Sequence, residues 1–307
     1  MNLSVVIPNY NGEKILSKNL PKVIKELENY QQGNLELIVV DDFSTDKSIE
    51  VVKKFPQVKL YTNFKNLGFS SNVDRGVEKA SGDLILLLNT DVYPDKDFLK
   101  PLLPHFNDEK VFAVGCMDKS VEEKKIILRG RGIGVWSKGF LIHEKGDTNL
   151  SDTLWVSGGS GISRKSIWDK LGGFNPLYNP FYWEDIDLSY RALKSGYKIL
   201  FENKSTVWHE HEKGAIKSKF SPFDVKAIAY KNQFIFVWTN LTDSGLLIKH
   251  FLWLPYHLLK AIIRKDRPFY LGFLKALLLI PKIIQARSIN KKLFVKSDKE
   301  VTQNFTK

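Results

Sequence analysis

The chain of 307 residues is 43% hydrophobic, with 46 Lys and Arg against 34 Asp and Glu, a balance that excludes a disordered protein and leaves room for one large α/β domain or two smaller ones. Its one cysteine, Cys116, excludes a disulfide framework and a cysteine-rich metal site and favours a reducing compartment. The charge surplus lies late: residues 213–307 hold 18 Lys and Arg against 5 Asp and Glu, leaving 28 (46 − 18) against 29 (34 − 5) before them, which points to an acidic partner such as anionic lipid or nucleic acid.

The opening MNLSVVIPNYNG reads as a strand and turn, without the basic start and long apolar core of a signal peptide, so a cytoplasmic setting is expected. KILSKNLPKVIKELENY follows with apolar residues at helical spacing and Pro21 as a site for a kink. LIVV is a buried strand and DDFSTD its polar exit loop, in which Ser44 or Thr45 would cap the next helix. VKLYTN gives a third strand, FSSNVDRGVEKA a helix ending at Gly82, and LILLLNTD a fourth strand. This βαβαβαβ order predicts a mostly parallel, Rossmann-like sheet with right-handed crossovers and flanking helices.

From about 110 to 160 the short Gly-punctuated strands KVFAVGCM, KIILRGRGIGVW and TLWVSGGSGISR predict a mixed extension of that sheet. NPFYWEDIDLSYRALKSGYKI then delivers Glu184 and Asp185 into the first turn of a helix, where Asp187 and Arg191 stand four apart as a solvated pair. Beyond 213 the pattern is helical. GLLIKHFLWLPYHLLKAIIRK and RPFYLGFLKALLLIPKIIQARSINKK are each broken by charges and a proline, so neither offers the clean run of about 20 apolar residues that crosses a bilayer. They predict helices on an anionic membrane surface, with a packed helical hairpin over the sheet as the structural alternative. Leu, Ile, Phe and Trp mixed with Lys suit lipid rather than nucleic acid.

A carboxylate at the end of a buried parallel strand points into the crevice where open α/β sheets bind ligands. Three acidic clusters stand at such exits: Asp41 with Asp42, Asp91, and Glu184 with Asp185. Any one of them alone reads as a turn or cap residue.

VVIPNYNG, IVVDDFSTD, NLGFSSN, LLLNTDV, VSGGSGISR, LGGFNP and FYWEDIDLSYR, in this order over about residues 3–212, resemble the inverting nucleotide-sugar transferases of glycosyltransferase family 2, and especially its rhamnosyltransferase-like branch. The resemblance implies a GT-A fold over residues 1–212, followed by a basic helical region over 213–307. It implies a donor site at Pro8, Tyr10, Asn11, Asp41, Asp42, Asn66, Gly68, Asn89 and Thr90, with either Asp41 or Asp42 meeting the base. Asp91 closes the family's Asp-x-Asp motif, whose first position is Asn89 here, and would hold Mg²⁺ or Mn²⁺ against the donor diphosphate. The resemblance offers His209, or in its place His211, as a further ligand, with a structural histidine as the alternative. Asp185 is the expected general base with Glu184 beside it, and Gly158, Gly159 and Trp183 face the acceptor, Trp183 and Tyr182 either stacking on a sugar or serving the core.

The chain departs from the branch at Asp74, where Asn is usual, while Asn72 is displaced. Arg75, Arg129 and Arg131 would meet phosphate or remain solvated. The expected activity is metal-dependent, inverting transfer from a dTDP- or UDP-sugar, such as a rhamnosyl donor, to a saccharide or lipid-linked acceptor in surface polysaccharide synthesis. A sugar-phosphate nucleotidyltransferase would need a Gly-rich basic loop after the first strand, which IPNYNGEKIL lacks. A non-catalytic basic membrane-binding protein is the other rival.

Overall fold

The computed structural model describes residues 1–28, 30–122, 125–210, 219–303 and 305. The first half alternates as its periodicity predicts: β1 (Leu3–Asn9), α1 (Glu13–Leu27), β2 (Leu35–Asp41), α2 (Ser48–Val52), β3 (Val58–Thr62), α3 (Phe69–Lys79) and β4 (Leu84–Leu88). All seven residues of β1 are buried, because helices cover both faces of the sheet. Val5 and Ile7 pack with Leu16, Leu20 and Val23 of α1, while Val6 packs with Val73 and Val77 of α3.

β5 (Val92–Pro94) and α4 (Leu99–Leu102) follow, then β6 (Val111–Glu122), β7 (Lys125–Arg129), β8 (Gly132–Ser137), β9 (Phe140–Lys145) and β10 (Ser160–Arg164). α5 (Lys165–Leu171), α6 (Glu184–Lys194) and β11 (Lys198–His209) complete this part. The main sheet runs β3-β2-β1-β4-β10-β6-β11-β5, with β7 on β6, while β8 and β9 form a separate ribbon. β3, β2, β1 and β4 are parallel, and β10 reverses direction against both β4 and β6. The mixed extension therefore begins beside β4, at the strand that ends in Asn89-Thr90-Asp91.

Several local expectations change. α1 runs through Pro21 unbroken. α2 begins at Ser48 with no side-chain cap, because Ser44 turns back and its backbone N–H donates to Asp41 Oδ2 at 2.9 Å. α3 ends at Lys79, and Gly82 lies in the following turn with its N–H on Ser4 Oγ at 2.8 Å. Asp187 and Arg191 are buried rather than solvated. Arg191 Nε donates to Asp187 Oδ2 at 2.7 Å, and its remaining nitrogens satisfy the carbonyls of Leu171 and Gly173. Helical spacing placed the two residues together, but the packing of α5 and the later helices on α6 removed the water.

The last helices are α7 (Pro222–Asn240), α8 (Ser244–Ile263), α9 (Arg267–Leu277), α10 (Ile280–Lys291) and α11 (Asp298–Thr302). The proposed partition at 212/213 falls outside the described residues. Beyond it, Phe234, Ile235, Phe236 and Val237 of α7 are fully buried against Tyr178, Trp183 and Tyr190. The second apolar segment is two helices, α9 and α10, bent by 69°. α8 continues through Pro255 and is, among the described residues, the one unbroken helix long and apolar enough to cross a membrane, which corrects the expectation drawn from its interruptions. At the end of the chain Asp298 is buried. It accepts from Lys194 Nζ at 2.7 Å, the Tyr190 hydroxyl at 2.8 Å and the backbone N–H groups of Thr242 and Asp243 at 2.7 and 2.8 Å.

Candidate active site

The carboxyl ends of β1, β2 and β4 open on a cleft of about 850 Å³. Pro8, Tyr10, Asp42, Asn66, Gly68, Asn89, Thr90 and Asp91 all line it. Asp41 and Asn11 do not. Asp41 lies beneath the floor, 1% exposed, its carboxylate taken by Asn9 Nδ2 at 2.7 Å and by Ser44. Asn11 holds the 41–48 loop through Oδ1, which accepts from the Thr45 N–H at 2.8 Å. Asp42 turns into the cleft, with its oxygens on the N–H groups of Leu67 at 2.8 Å and Gly68 at 2.9 Å. That fixes the 66–68 loop over β2. Gly68 has φ +88°, and a Cβ there would sit 2.8 Å from Asn179 Oδ1, so only glycine permits this approach.

Asp91 and His209 meet where β4 and β11 end. His209 Nε2 is 3.5 Å from Asp91 Oδ2, and Nδ1 is 2.7 Å from Asp118 Oδ2. Burial opposes a charge on the ring, but hydrogen bonds to the two carboxylates and their charges outweigh it and raise His209 to about 9. Asn89 Oδ1 is buried without a partner. One carboxylate, one imidazole and this amide oxygen are the donor set a divalent cation bound beside a diphosphate would meet. Among the described residues, no group of three or more His, Cys, Asp and Glu side chains has the arrangement of a complete metal site.

Asp185 is linked to Asn89 indirectly, through the 157–160 turn. The Gly158 N–H donates to Asp185 Oδ2 at 3.3 Å, and the Asn89 N–H donates to the Gly159 carbonyl at 2.9 Å. A Cβ on Gly159 would lie 2.4 Å from Asn89 Nδ2. The two glycines thus link the end of β4 to the Asp185 carboxylate, while Asp185 itself lines a smaller adjoining cavity with Gly158, Phe174 and Leu188 rather than the cleft, and Glu184 lines neither. Burial pushes Asp185 above the usual carboxylate range; burial first, then the charge of Asp185, pushes Glu184 higher still. The pair therefore favours fewer than two negative charges. Tyr182 and Trp183 enter α6 with φ +73° and +75°. Trp183 is 7% exposed, its ring packed against His143 and Phe236, so the structure places it in the core, while Tyr182 is the exposed member of the pair.

The sequence from 4 to 171, more than half of the chain, matches the model of Glycosyl transferase family 2. The chain belongs to glycosyltransferase family 2. This transferase is an enzyme of nucleotide-sugar-dependent glycan synthesis. It is 25% identical over 318 residues to the dolichyl N-acetyl-alpha-D-glucosaminyl phosphate 3-beta-D-2,3-diacetamido-2,3-dideoxy-beta-D-glucuronosyltransferase of Methanococcus voltae, covering 88% of this chain and 90% of that one. It is 24% identical to the O-antigen chain rhamnosyltransferase RfbN of Salmonella typhimurium, covering 69% of this chain and 67% of that one. The crystal structure of GalNAc-T7 with UDP, GalNAc and Mn²⁺ superposes with a TM-score of 0.71 at 19% identity. That likeness covers 99% of this transferase and 56% of the GalNAc-T7 chain, and it establishes the GT-A fold.

Other residues of the transferase complete the site or leave it. Lys219 and Phe220 line the cleft without a signal in the sequence, because they belong to the tail. Lys219 Nζ donates to the Tyr10 hydroxyl at 3.1 Å and lies 4.4 Å from its ring centroid. Asn232 Nδ2 donates to the carbonyls of Tyr178, Phe181 and Tyr182 at 2.9, 2.8 and 2.8 Å, which secures the loop entering α6. Asn72 lines the cleft. Asp74 does not; it accepts from the Phe174 N–H at 2.9 Å, and burial raises it to about 7. Arg131 is buried in an ion pair with Asp152, and Arg75 stands by Glu78 on the surface. Neither meets the cleft; Arg129 lies in β7. His211 lies outside the described residues.

Proposed function

We propose that this enzyme is a divalent-metal-dependent, inverting transferase that moves a sugar, with a dTDP- or UDP-linked donor such as a rhamnosyl donor favoured, to a saccharide or lipid-linked acceptor. The observation that carries the reading is the convergence of Asp42, Asn89 and Asp91 on one cleft, with Asp185 tied to Asn89 through Gly158 and Gly159. Asp42 and the turn after β1 would take the nucleoside. Asp91 and His209 would hold Mg²⁺ or Mn²⁺, which stabilises the charge on the departing diphosphate. Lys219 adds a positive charge on the cleft wall.

Asp185 would accept the proton of the acceptor hydroxyl as its oxygen bonds to the anomeric carbon and the bond to the nucleoside diphosphate breaks on the opposite face. Burial raises both carboxyls of the pair, and the charge of Asp185 raises Glu184 further, which favours a single charge on the pair. Placement at the cytoplasmic face of a membrane, in surface polysaccharide synthesis, is supported by the basic helical region. The outward side of α8 carries Ile248, Phe251, Leu252, Leu259, Ile262 and Ile263, each 56% exposed or more, and such apolar patches mark interaction surfaces.

The experiment is thermal unfolding of the protein and of Asp91→Ala with UDP, dTDP, GDP or CDP, each with and without Mn²⁺. A native-state ligand at 100 times its Kd adds about 2.7 kcal/mol. One nucleotide is expected to stabilise in a Mn²⁺-dependent way that Asp91→Ala removes; indifference to all four nucleotides would overturn the reading.

A further inference from the structure

The loop 175–181 has two sides. Through Pro180 and Phe181 it walls the donor cleft, and through Asn175, Leu177 and Asn179 it walls a second groove of about 920 Å³ shared with α7 and α10. We propose that this second groove binds the phosphate and first hydrocarbon units of a lipid phosphate. The proposal rests on the reading of a lipid-linked acceptor and gives that acceptor a place.

The cation in the groove wall is incompletely partnered. Lys231 is 7% exposed, and an ammonium carries three donors. Among the described residues it reaches two acceptors, the carbonyls of Leu177 at 3.1 Å and Asn179 at 2.7 Å. No carboxylate among the described residues lies within ion-pair distance of it; burial and then the charge of Lys275 disfavour its ammonium, and Glu184 supports it only from farther off. Burying a charge without a counter-charge is costly, so an anion entering the groove would relieve that cost. Lys282, exposed and without an ion-pair partner among the described residues, lines the same groove.

The remaining walls select what carries the anion. Leu177, Leu279 and Ile289 line the groove, and the adjoining turn and helix leave Leu278 83% and Ile284 60% exposed. A free phosphate would leave these surfaces wet; a phosphate with a hydrocarbon chain covers them. Because Lys231 also holds the loop that leads into Asp185, the bound headgroup would lie one side chain from the backbone that positions the base.

The test titrates the full chain calorimetrically with farnesyl phosphate, farnesol and inorganic phosphate, and repeats this with Lys282→Glu, an exposed position whose reversal leaves the fold intact by Tm. Farnesyl phosphate is expected to bind at least about tenfold more tightly than either half, and Lys282→Glu to weaken it by roughly tenfold or more. Inorganic phosphate binding as tightly as farnesyl phosphate would show an adventitious anion site and overturn the proposal. No binding, or equal binding to both proteins, does the same. Nucleotide stabilisation is read separately on the same samples, so failure of the groove and failure of the transferase reading are distinguishable.

Discussion

Replacing Asn232 with alanine tests the loop that leads into Glu184 and Asp185, the proposed catalytic pair. The amide has two N–H donors spread over three carbonyls, those of Tyr178, Phe181 and Tyr182. Each lost bond costs about 0.5–1.5 kcal/mol, and a buried carbonyl left bare costs about 1–3 kcal/mol. Asn232 Oδ1 is itself buried without a partner, so its removal returns part of that loss. The net destabilisation is about 2–4 kcal/mol, read as a lower urea midpoint at unchanged slope. Activity should suffer separately. Tyr182 and Trp183 hold positive φ, a strain of about 1–3 kcal/mol per residue that surrounding bonds must offset. With those bonds gone the entry to α6 relaxes, Asp185 leaves its place by Gly158, and kcat falls more than the donor KM rises. Asn232→Asp, which points a carboxylate at the same carbonyls, should be worse than alanine. An alanine variant within about 0.5 kcal/mol of the parent, with unchanged kcat, refutes the reasoning.

Asp185→Asn should reduce transfer by roughly 10²–10⁴-fold while the nucleotide-induced Tm shift persists; ordinary turnover in that variant would remove Asp185 from the role of base. Leu252→Glu with Ile263→Glu alters side chains that are each 73% exposed, so Tm should hold while flotation with anionic vesicles is lost, and equal flotation of parent and variant would exclude this face. His209 is raised to about 9 in the fold against about 6.5 in the unfolded chain. Its charged form is therefore favoured by folding, a stabilisation fully present below about 6.5 and lost as pH rises through about 9. In chelator, the Tm difference between the parent and His209→Asn should shrink over that window; a constant difference would contradict it.

The doubly wound half was legible because its strands are continuous apolar runs and its helices keep a helical period, two signals set by local burial. The cleft side of β1, β2 and β4 was legible for the same reason, since a strand's end fixes where its next residue points. What could not be read depends on packing between distant segments. Asp41 and Asp42 are adjacent and chemically alike, and what distinguishes them are bonds from other segments, Asn9 and Ser44 holding Asp41 and Asn63, Leu67 and Gly68 holding Asp42. Asp187 and Arg191 have the spacing of a surface pair, and nothing local shows that other elements seal them from water. Asn232 stands in an apolar helix as an ordinary polar interruption, although it binds three carbonyls of the loop that leads into α6. Lys219 escaped because the basic tail was read as one surface rather than as a segment returning to Tyr10.

The buried pair of Lys194 and Asp298 couples two distant parts of the chain. Lys194 stands on the helix that begins with Glu184 and Asp185, and its carboxylate partner is 104 residues further along the chain. The Lys194 ammonium also donates to the Asn240 carbonyl and to Thr242 Oγ1, so three distant segments meet at one buried charge. Loosening of α11 would therefore be felt on α6, because the same carboxylate holds Lys194, Tyr190 and the turn between α7 and α8.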